Sequence, residues 1–460
     1  MIFELMPVGE VRRQADRCMN CGVPFCHAGC PVGNRIPRWN ELVTTDHWQE
    51  AIDELHATNN FPEFTGYICP APCEAACVLE INDDPVTIKQ IELEIIERAW
   101  REGWVTPKPP GTRTGRRVGV VGSGPAGMAV AAQLNSHGHA VTVYERSEAV
   151  GGLMRLGVPD FKLAKWVIDR RVAVLEQEGI EFRCGLEVGC DVGINELRAE
   201  HDAVVLTIGA LLQRPLDVPG ADLNGVHSAM DYLSQHNRLV ARAEGRPVAD
   251  LPEQTITAAG KHVFVIGGGD TAADCIATAL RENATDVQQL DRYPEPTGHR
   301  TRELADWPAM PRRMPSTYAL EEGGTRQYAE TITALSGAHG QLTHLHGTAV
   351  GGRPDFSPLP EGHFTRPAEL VLVAIGFLGP EKPLLTSLDL ELDPHGNIRA
   401  DDFVTSAPGI FTAGDARVGA SLIVTAIDEG RKCAEAVNHY LHNRGAPPRY
   451  PADSGRNGRA

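Results

Sequence analysis

Two periodicities divide the chain. Up to about residue 105 the apolar positions recur at helical spacing, most clearly in HWQEAIDELHATNN (47–60) and TIKQIELEIIERAW (87–100). The Pro- and Gly-rich stretch TPKPPGTRTG (106–115) breaks that pattern and reads as an extended linker. Beyond it, short Val/Ile runs alternate with helical patterns, which predicts a parallel sheet covered by helices on both sides. Two strand-turn-helix units open almost alike, RRVGVVGSGPAGMAVAAQL from 116 and KHVFVIGGGDTAADCIATAL from 261. This loose duplication predicts two nucleotide-binding domains, because its spacing is too long for a solenoid. The Pro/Arg-rich RYPEPTGHRTRELADWPAMPRRMP (292–315) predicts an irregular active-site or docking loop, and YPADSGRNGRA (450–460) a frayed tail.

On a helical wheel the segment 87–100 places Ile88, Ile91, Ile95, Ile96 and Ala99 on one face, with Lys89, Gln90, Glu94, Glu97 and Arg98 opposite. Glu92 falls in the middle of the apolar face. A lone buried carboxylate costs several kcal/mol, so Glu92 is expected to be protonated, ion-paired or bound to a metal.

Composition changes the picture little. Hydrophobic residues make up 42% and charged residues 22%, as in an ordinary globular protein, and no apolar run reaches the ~18 residues of a membrane span. The first residues lack the apolar core of a signal peptide, which predicts a cytoplasmic location. A net charge of -17 argues against nucleic acid and anionic membranes as partners.

Cysteine placement is uneven. Seven of the eleven cysteines lie between Cys18 and Cys77, while Cys184, Cys190, Cys275 and Cys433 are scattered and are expected to be buried small hydrophobes. The cluster reads C-x2-C-x4-C-x3-C over Cys18, Cys21, Cys26 and Cys30, followed by CPAPCEAAC with Cys69, Cys73 and Cys77. Thiolates this dense need a cation between them. One zinc site would leave three thiols over; two 4Fe-4S clusters, with four ligands each, would leave one position short. Glu92 is the candidate for that position.

The turn GSGPAG contains Gly122, Ser123, Gly124, Pro125, Ala126 and Gly127. Its glycines suit a tight turn, close approach of a pyrophosphate and close helix-strand packing, and Glu145 ends the next strand where a ribose diol needs a carboxylate. The second turn carries Gly267, Gly268 and Gly269 with Asp270 and Thr271 where the first has Pro and Ala, which suggests a different dinucleotide. Asp291 occupies its ribose-carboxylate position, whereas Arg292 could pair with a 2'-phosphate; Arg300 and Arg302 add positive charge and favour NADPH over NADH. Downstream, Gly414 and Asp415 join a short strand to a helix, a pattern that suits the ribityl and pyrophosphate part of a flavin and implies that the C-terminal segment completes the first nucleotide domain.

Taken in order, CMNCGVPFCHAGCPV, NNFPEFTGYICPAPCEAACVLEINDDPVTIKQIE, GSGPAG, GGLMRLGVPDFKL, GGGDTA and AGDA resemble the small (beta) subunit of bacterial glutamate synthase over nearly the whole chain. More distantly, they are similar to the electron-entry part of dihydropyrimidine dehydrogenase. The resemblance implies an α/β protein with an N-terminal helical iron-sulfur domain (1–105) and two Rossmann-like domains. The second domain (226–375, NAD(P)H) would be inserted in the first (106–225 and 376–460, FAD). It implies that Cys18, Cys21, Cys26 and Cys77 hold one 4Fe-4S cluster, and that Cys30, Cys69 and Cys73 hold another, with Glu92 standing where the dehydrogenase has a glutamine. An anionic ligand there would favour the oxidised cluster. For FAD the matching positions are 122–127, Glu145, Gly151, Gly152, Leu153, Lys162, Gly414 and Asp415. For the nicotinamide nucleotide they are 267–271, Asp291, Arg292, Ala374, Ile375 and Gly376. The implied activity is oxidation of NAD(P)H at FAD. Electrons would then pass through the clusters to a large (alpha) subunit that makes two L-glutamate from L-glutamine and 2-oxoglutarate. A related enzyme feeding ferredoxin or another reductase partner is the alternative. No acid-base residue is nominated, since the side chains need only position cofactors.

Overall fold

The computed structural model describes residues 4–251, 253–295, 307–308, 317–351 and 356–443. Arg300, Arg302, most of the Pro/Arg-rich stretch and the tail 450–460 lie outside them.

The N-terminal part is helical. Helices Val8–Asp16, Ile36–Thr44, Trp48–Thr58 and Pro62–Ile68 surround Ile88–Arg101, whose Ile88, Ile91, Ile95, Ile96 and Ala99 are buried as their spacing predicts. The opposite face departs from expectation, because Glu94 and Glu97 are buried too. The helix is enclosed on nearly all sides, and arginines neutralise the acids: Arg101 pairs with Glu94 at 2.6 Å, and Arg170, from helix Lys165–Gln177, grips Glu97 with both terminal nitrogens. Arg170 also stacks over Trp100 and Trp166, which fastens the helical part to the nucleotide-binding part.

Two sheets follow, the first parallel except at one edge and the second parallel throughout. The first runs, in spatial order, Ala400–Asp401, Val404–Thr405, Ile410–Thr412, Ala203–Leu206, Arg117–Val121, Ala140–Glu145 and Glu181–Cys184. Its central strands are parallel, and Ile410–Thr412 pairs in parallel with Ala203–Leu206, so the C-terminal segment joins the sheet begun at residue 117. The second sheet is Val226–Ser228, Leu370–Val373, His262–Ile266, Asp286–Asp291 and Thr325–Tyr328, all parallel. An antiparallel meander, Glu330–Ala338, Gln341–Val350 and Pro358–Pro367, extends from it. Where the chain crosses between the sheets, the outgoing strand Leu212–Gln213 pairs antiparallel with the returning Phe377–Gly379. The second sheet is therefore an insertion in the first, entered and left through one paired ribbon.

Helix Ile423–Asn443 closes the first sheet by lying on helix Pro125–Ser136. Gly430 permits that approach: a Cβ there would stand 2.4 Å from the Ala126 carbonyl oxygen. Of the four scattered cysteines, Cys275 and Cys433 are buried as expected, but Cys184 and Cys190 are exposed. Cys184 ends the outermost strand of the first sheet, where no further strand covers it. Among the described residues no helix is long and apolar enough to cross a membrane.

Candidate functional site

The first glycine turn is built as its spacing requires. Gly122 has φ +101, and a Cβ on it would lie 2.5 Å from the Thr207 carbonyl oxygen; one on Gly127 would lie 2.0 Å from the Gly122 carbonyl oxygen. Gly124, by contrast, faces open space with nothing within 4 Å. Two glycines thus serve the fold and the third leaves room for a ligand at the start of helix Pro125–Ser136, where amide groups and the helix dipole favour phosphate.

Glu145 is buried, and its carboxylate accepts hydrogen bonds from the Ser123 amide at 3.1 Å, the Ser123 hydroxyl at 2.5 Å and the Ser147 amide at 2.8 Å. The Gly151 amide donates to Ser123 Oγ at 3.0 Å, which brings the Gly151-Gly152-Leu153 segment against the turn. Gly414, at φ +70, touches the same helix: a Cβ there would meet Ala126 Cβ at 2.7 Å. Asp415 follows at the head of helix Asp415–Val418, where Ser421 donates to it through both its hydroxyl and its amide. Burial raises the Asp415 carboxyl to about 6 despite those bonds.

Most of these residues line one cavity of about 1470 Å³, whereas Gly127, Gly151 and Gly414 lie behind its wall. Its wall includes the stretch 122–126 together with Glu145, Gly152, Leu153, Lys162 and Asp415. Asp270, Thr271 and Asp274 enter it from the second glycine turn and its helix, and Ile68 and Pro70 from the cysteine region. Pro70 adjoins Cys69, so the thiol-bearing segment reaches the chamber served by the first turn.

The second turn is also tight. A Cβ on Gly267 would stand 2.2 Å from the Ala374 carbonyl oxygen, while Gly269 faces open space ahead of helix Asp270–Arg281. Asp291 ends its strand beside Gly268, as Glu145 does beside Ser123. Sequence reasoning missed Arg326, which, on the neighbouring strand Thr325–Tyr328, pairs with Asp291 at 2.6 Å. Arg292 is exposed and lies over the Tyr293 and Phe356 rings. Gly267, Gly268, Gly269, Asp291, Arg292, Ala374, Ile375 and Gly376 are grouped at the end of the second sheet, outside the wall of the main cavity. Asp274 and Tyr318 were likewise missed. Lys162 Nζ stands 3.0 Å from Asp274 Oδ1, and the Tyr318 hydroxyl donates to the same oxygen. Asp274 lies one helical turn beyond Asp270, the one spacing that could have pointed to it.

In the N-terminal part the two cysteine segments pack through helices Phe25–Gly29 and Pro72–Ala75, and Gly29 lets them close: a Cβ there would meet Ala76 Cβ at 2.6 Å. Cys18, Cys21, Cys26 and Cys77 line one small gap. Burial, with the neighbouring Cys77 and Cys18, pushes the Cys26 thiol up to about 12. Cys30, Cys69 and Cys73 form a second group with Glu92. Burial pushes Cys30 up to about 11 and raises Cys69 and Cys73 further, and the charge of Glu92 adds to each. The Glu92 carboxyl is raised to about 7 by burial, although Asn59 Nδ2 and Thr65 Oγ1 both donate to its Oε1 at 2.9 Å. Buried thiols that repel one another around a buried acid form a donor set that suits a bound cationic cluster. Among the described residues no group of three or more His, Cys, Asp and Glu is placed to hold a single metal ion. A cluster gripped at its iron corners keeps its ligands farther apart than one ion does.

Residues 3–104 match the family described as dihydropyrimidine dehydrogenase domain II, 4Fe-4S cluster, and residues 116–430 match the pyridine nucleotide-disulphide oxidoreductase family. The chain is 50% identical to the glutamate synthase [NADPH] small chain of Mycobacterium tuberculosis over 97% of its own length and 92% of that protein. The chain belongs to the glutamate synthase small-chain family. It is also 41% identical to glutamate synthase [NADH] of Schizosaccharomyces pombe, matching 93% of its own length and 21% of that longer protein. Among solved structures, Mycobacterium tuberculosis FprA in complex with NADPH matches 73% of this small chain and 85% of its own length, with a TM-score of 0.56 at 19% identity, a likeness of fold. Within this family the cysteine region corresponds to the 4Fe-4S part, and the paired sheets to the nucleotide oxidoreductase part.

Proposed function

We propose that the protein is the electron-input subunit of a glutamate synthase. It would oxidise NAD(P)H at FAD and pass electrons through two 4Fe-4S clusters to a large subunit that forms two L-glutamate from L-glutamine and 2-oxoglutarate. The observation that carries this reading is the single cavity walled by the first glycine turn, the head of the second turn's helix and the segment next to Cys69. Bound FAD supplies the conversion of a two-electron donor into single electrons that iron-sulfur clusters accept.

The residues divide the work. Gly124, in the turn that Gly122 and Gly127 allow to close, and the amides of helix Pro125–Ser136 bind the flavin pyrophosphate. Glu145 orients a ribose diol through oxygens already fixed by Ser123 and Ser147. Asp415 faces the ribityl side, and Lys162 holds the edge of the cavity next to the second domain. Asp270 and Thr271 head the helix that receives the nicotinamide nucleotide. Cys18, Cys21, Cys26 and Cys77 hold one cluster; Cys30, Cys69, Cys73 and Glu92 hold the other. The domain limits that go with this division are 105/106, 225/226 and 375/376.

Anaerobic addition of NADPH or NADH to the purified protein, followed optically and by electron paramagnetic resonance, tests the reading. Flavin bleaching followed by reduced-cluster signals is expected. Iron and flavin absent from protein matured with both supplied would defeat it. Glutamate formation on adding the large subunit tests the final acceptor.

A further inference from the structure

The two glycine turns carry a carboxylate at the same place, but only the second cancels it. At the first turn, Glu145 is held by the Ser123 hydroxyl and by amides, and the adjacent Arg146 is drawn away to Glu187 and Glu381, at 3.7 and 2.5 Å. At the second, Asp291 Oδ2 pairs with Arg326 Nη2 at 2.6 Å, with side chains only 2% and 3% exposed. Both groups lie against the turn: a Cβ on Gly268 would stand 2.6 Å from Asp291 Oδ2 and 3.0 Å from Arg326 Nη2. Arg292, next along the chain, adds an exposed cation over Tyr293 and Phe356.

A free carboxylate at the end of this strand favours a ribose 2'-hydroxyl and repels a 2'-phosphate, whereas a nearby arginine reverses the preference. We infer that Arg326 sets the nucleotide choice of this protein: by neutralising Asp291 at the turn, it lets the site accept an adenosine 2'-phosphate that the bare carboxylate would reject. Arg326 acts through Asp291 and is a positioning and charge-compensating residue. Because the pair is shielded from water, its charges act on a ligand at the turn with little screening. The inference rests on the reading of the second turn as the nicotinamide-nucleotide site.

Calorimetric binding of 2',5'-ADP and of 5'-AMP to the FAD-loaded full chain separates the possibilities, because the two probes differ only in the 2'-phosphate. In Arg326→Gln the affinity for 2',5'-ADP should fall about tenfold or more, with 5'-AMP within about twofold of wild type. In Asp291→Asn, which removes the carboxylate charge at the turn and keeps that of Arg326, 2',5'-ADP should bind several-fold tighter. The double variant should return towards wild type, and it keeps the test available if Arg326→Gln alone folds poorly. Equal shifts for both probes, or no tightening in Asp291→Asn, would overturn the role of the pair while leaving the nucleotide site standing. A wild-type protein that binds neither probe would remove the nucleotide reading itself.

Discussion

Lys162 of the first nucleotide unit and Asp274 of the inserted one form a buried ion pair, 3.0 Å apart, at the wall of the shared cavity. The Tyr318 hydroxyl donates to the same carboxylate oxygen, and the Lys162 ammonium lies 5.2 Å from the Tyr318 ring. The pair ties the helix of the second glycine turn to the flavin side of the molecule, so that the two nucleotides would meet at a fixed orientation. Removing one member leaves a buried charge uncompensated. Lys162→Met or Asp274→Leu should each cost about 3–5 kcal/mol, and the double variant should recover most of that. Thermal denaturation of the three variants measures the coupling; additive losses would mean that the contact does not bind the domains together.

Glu92 should behave as a cluster ligand. Glu92→Ala should lower the iron content from about eight to about four per chain and remove one of two reduced-cluster signals. Glu92→Gln should keep both clusters and raise the potential of one, since a neutral donor no longer favours the oxidised state. If iron content and spectra in Glu92→Ala match the wild type, the carboxylate is no cluster ligand and its hydrogen bonds, among them those from Asn59 and Thr65, account for its burial.

Gly124 and Gly127 should separate ligand binding from folding. A Cβ at Gly127 would strike the Gly122 carbonyl, so Gly127→Ala should destabilise the protein by about 1–3 kcal/mol through overpacking. Gly124 has open space beside it and φ -64, so Ala is tolerated there, with a loss of no more than about 1 kcal/mol in the FAD-free protein. FAD content should nevertheless fall, because the new methyl stands where the pyrophosphate approaches. Flavin-free melting curves beside flavin-to-protein ratios check both statements, and unchanged flavin content in Gly124→Ala would contradict the assigned approach.

The legible parts of this protein were those written in short-range spacing. The glycine turns, the helix Ile88–Arg101 and the isolation of Glu92 on its apolar face all follow from residues within a few turns of each other. Partners brought together by tertiary packing were not legible: Arg326 reaches Asp291 from an adjacent strand 35 positions on, and Arg170 reaches Glu97 from another helix across 73. A wheel drawn on one helix assigns Glu94 and Glu97 to water because it knows nothing of the helix packed against them. The exposure of Cys184 has the same origin, since edge and centre strands share one local pattern.

His56 should make the protein acid-sensitive. Its ring is held neutral, with the pKa lowered to about 3, first by burial and then by the nearby Arg171 and Lys108 charges. In the unfolded chain the same ring takes a proton near pH 6.5, so the unfolded state binds more protons throughout the interval between these values. Stability from this group is complete above about pH 6.5 and is lost as the pH falls towards 3, amounting to about 2 kcal/mol between pH 7 and pH 5. His56→Gln cannot charge, and should flatten the dependence of denaturation midpoint on pH over that range while changing little at pH 8. A variant whose profile runs parallel to wild type from pH 7 to pH 5 would show that His56 already carries its proton in the folded protein.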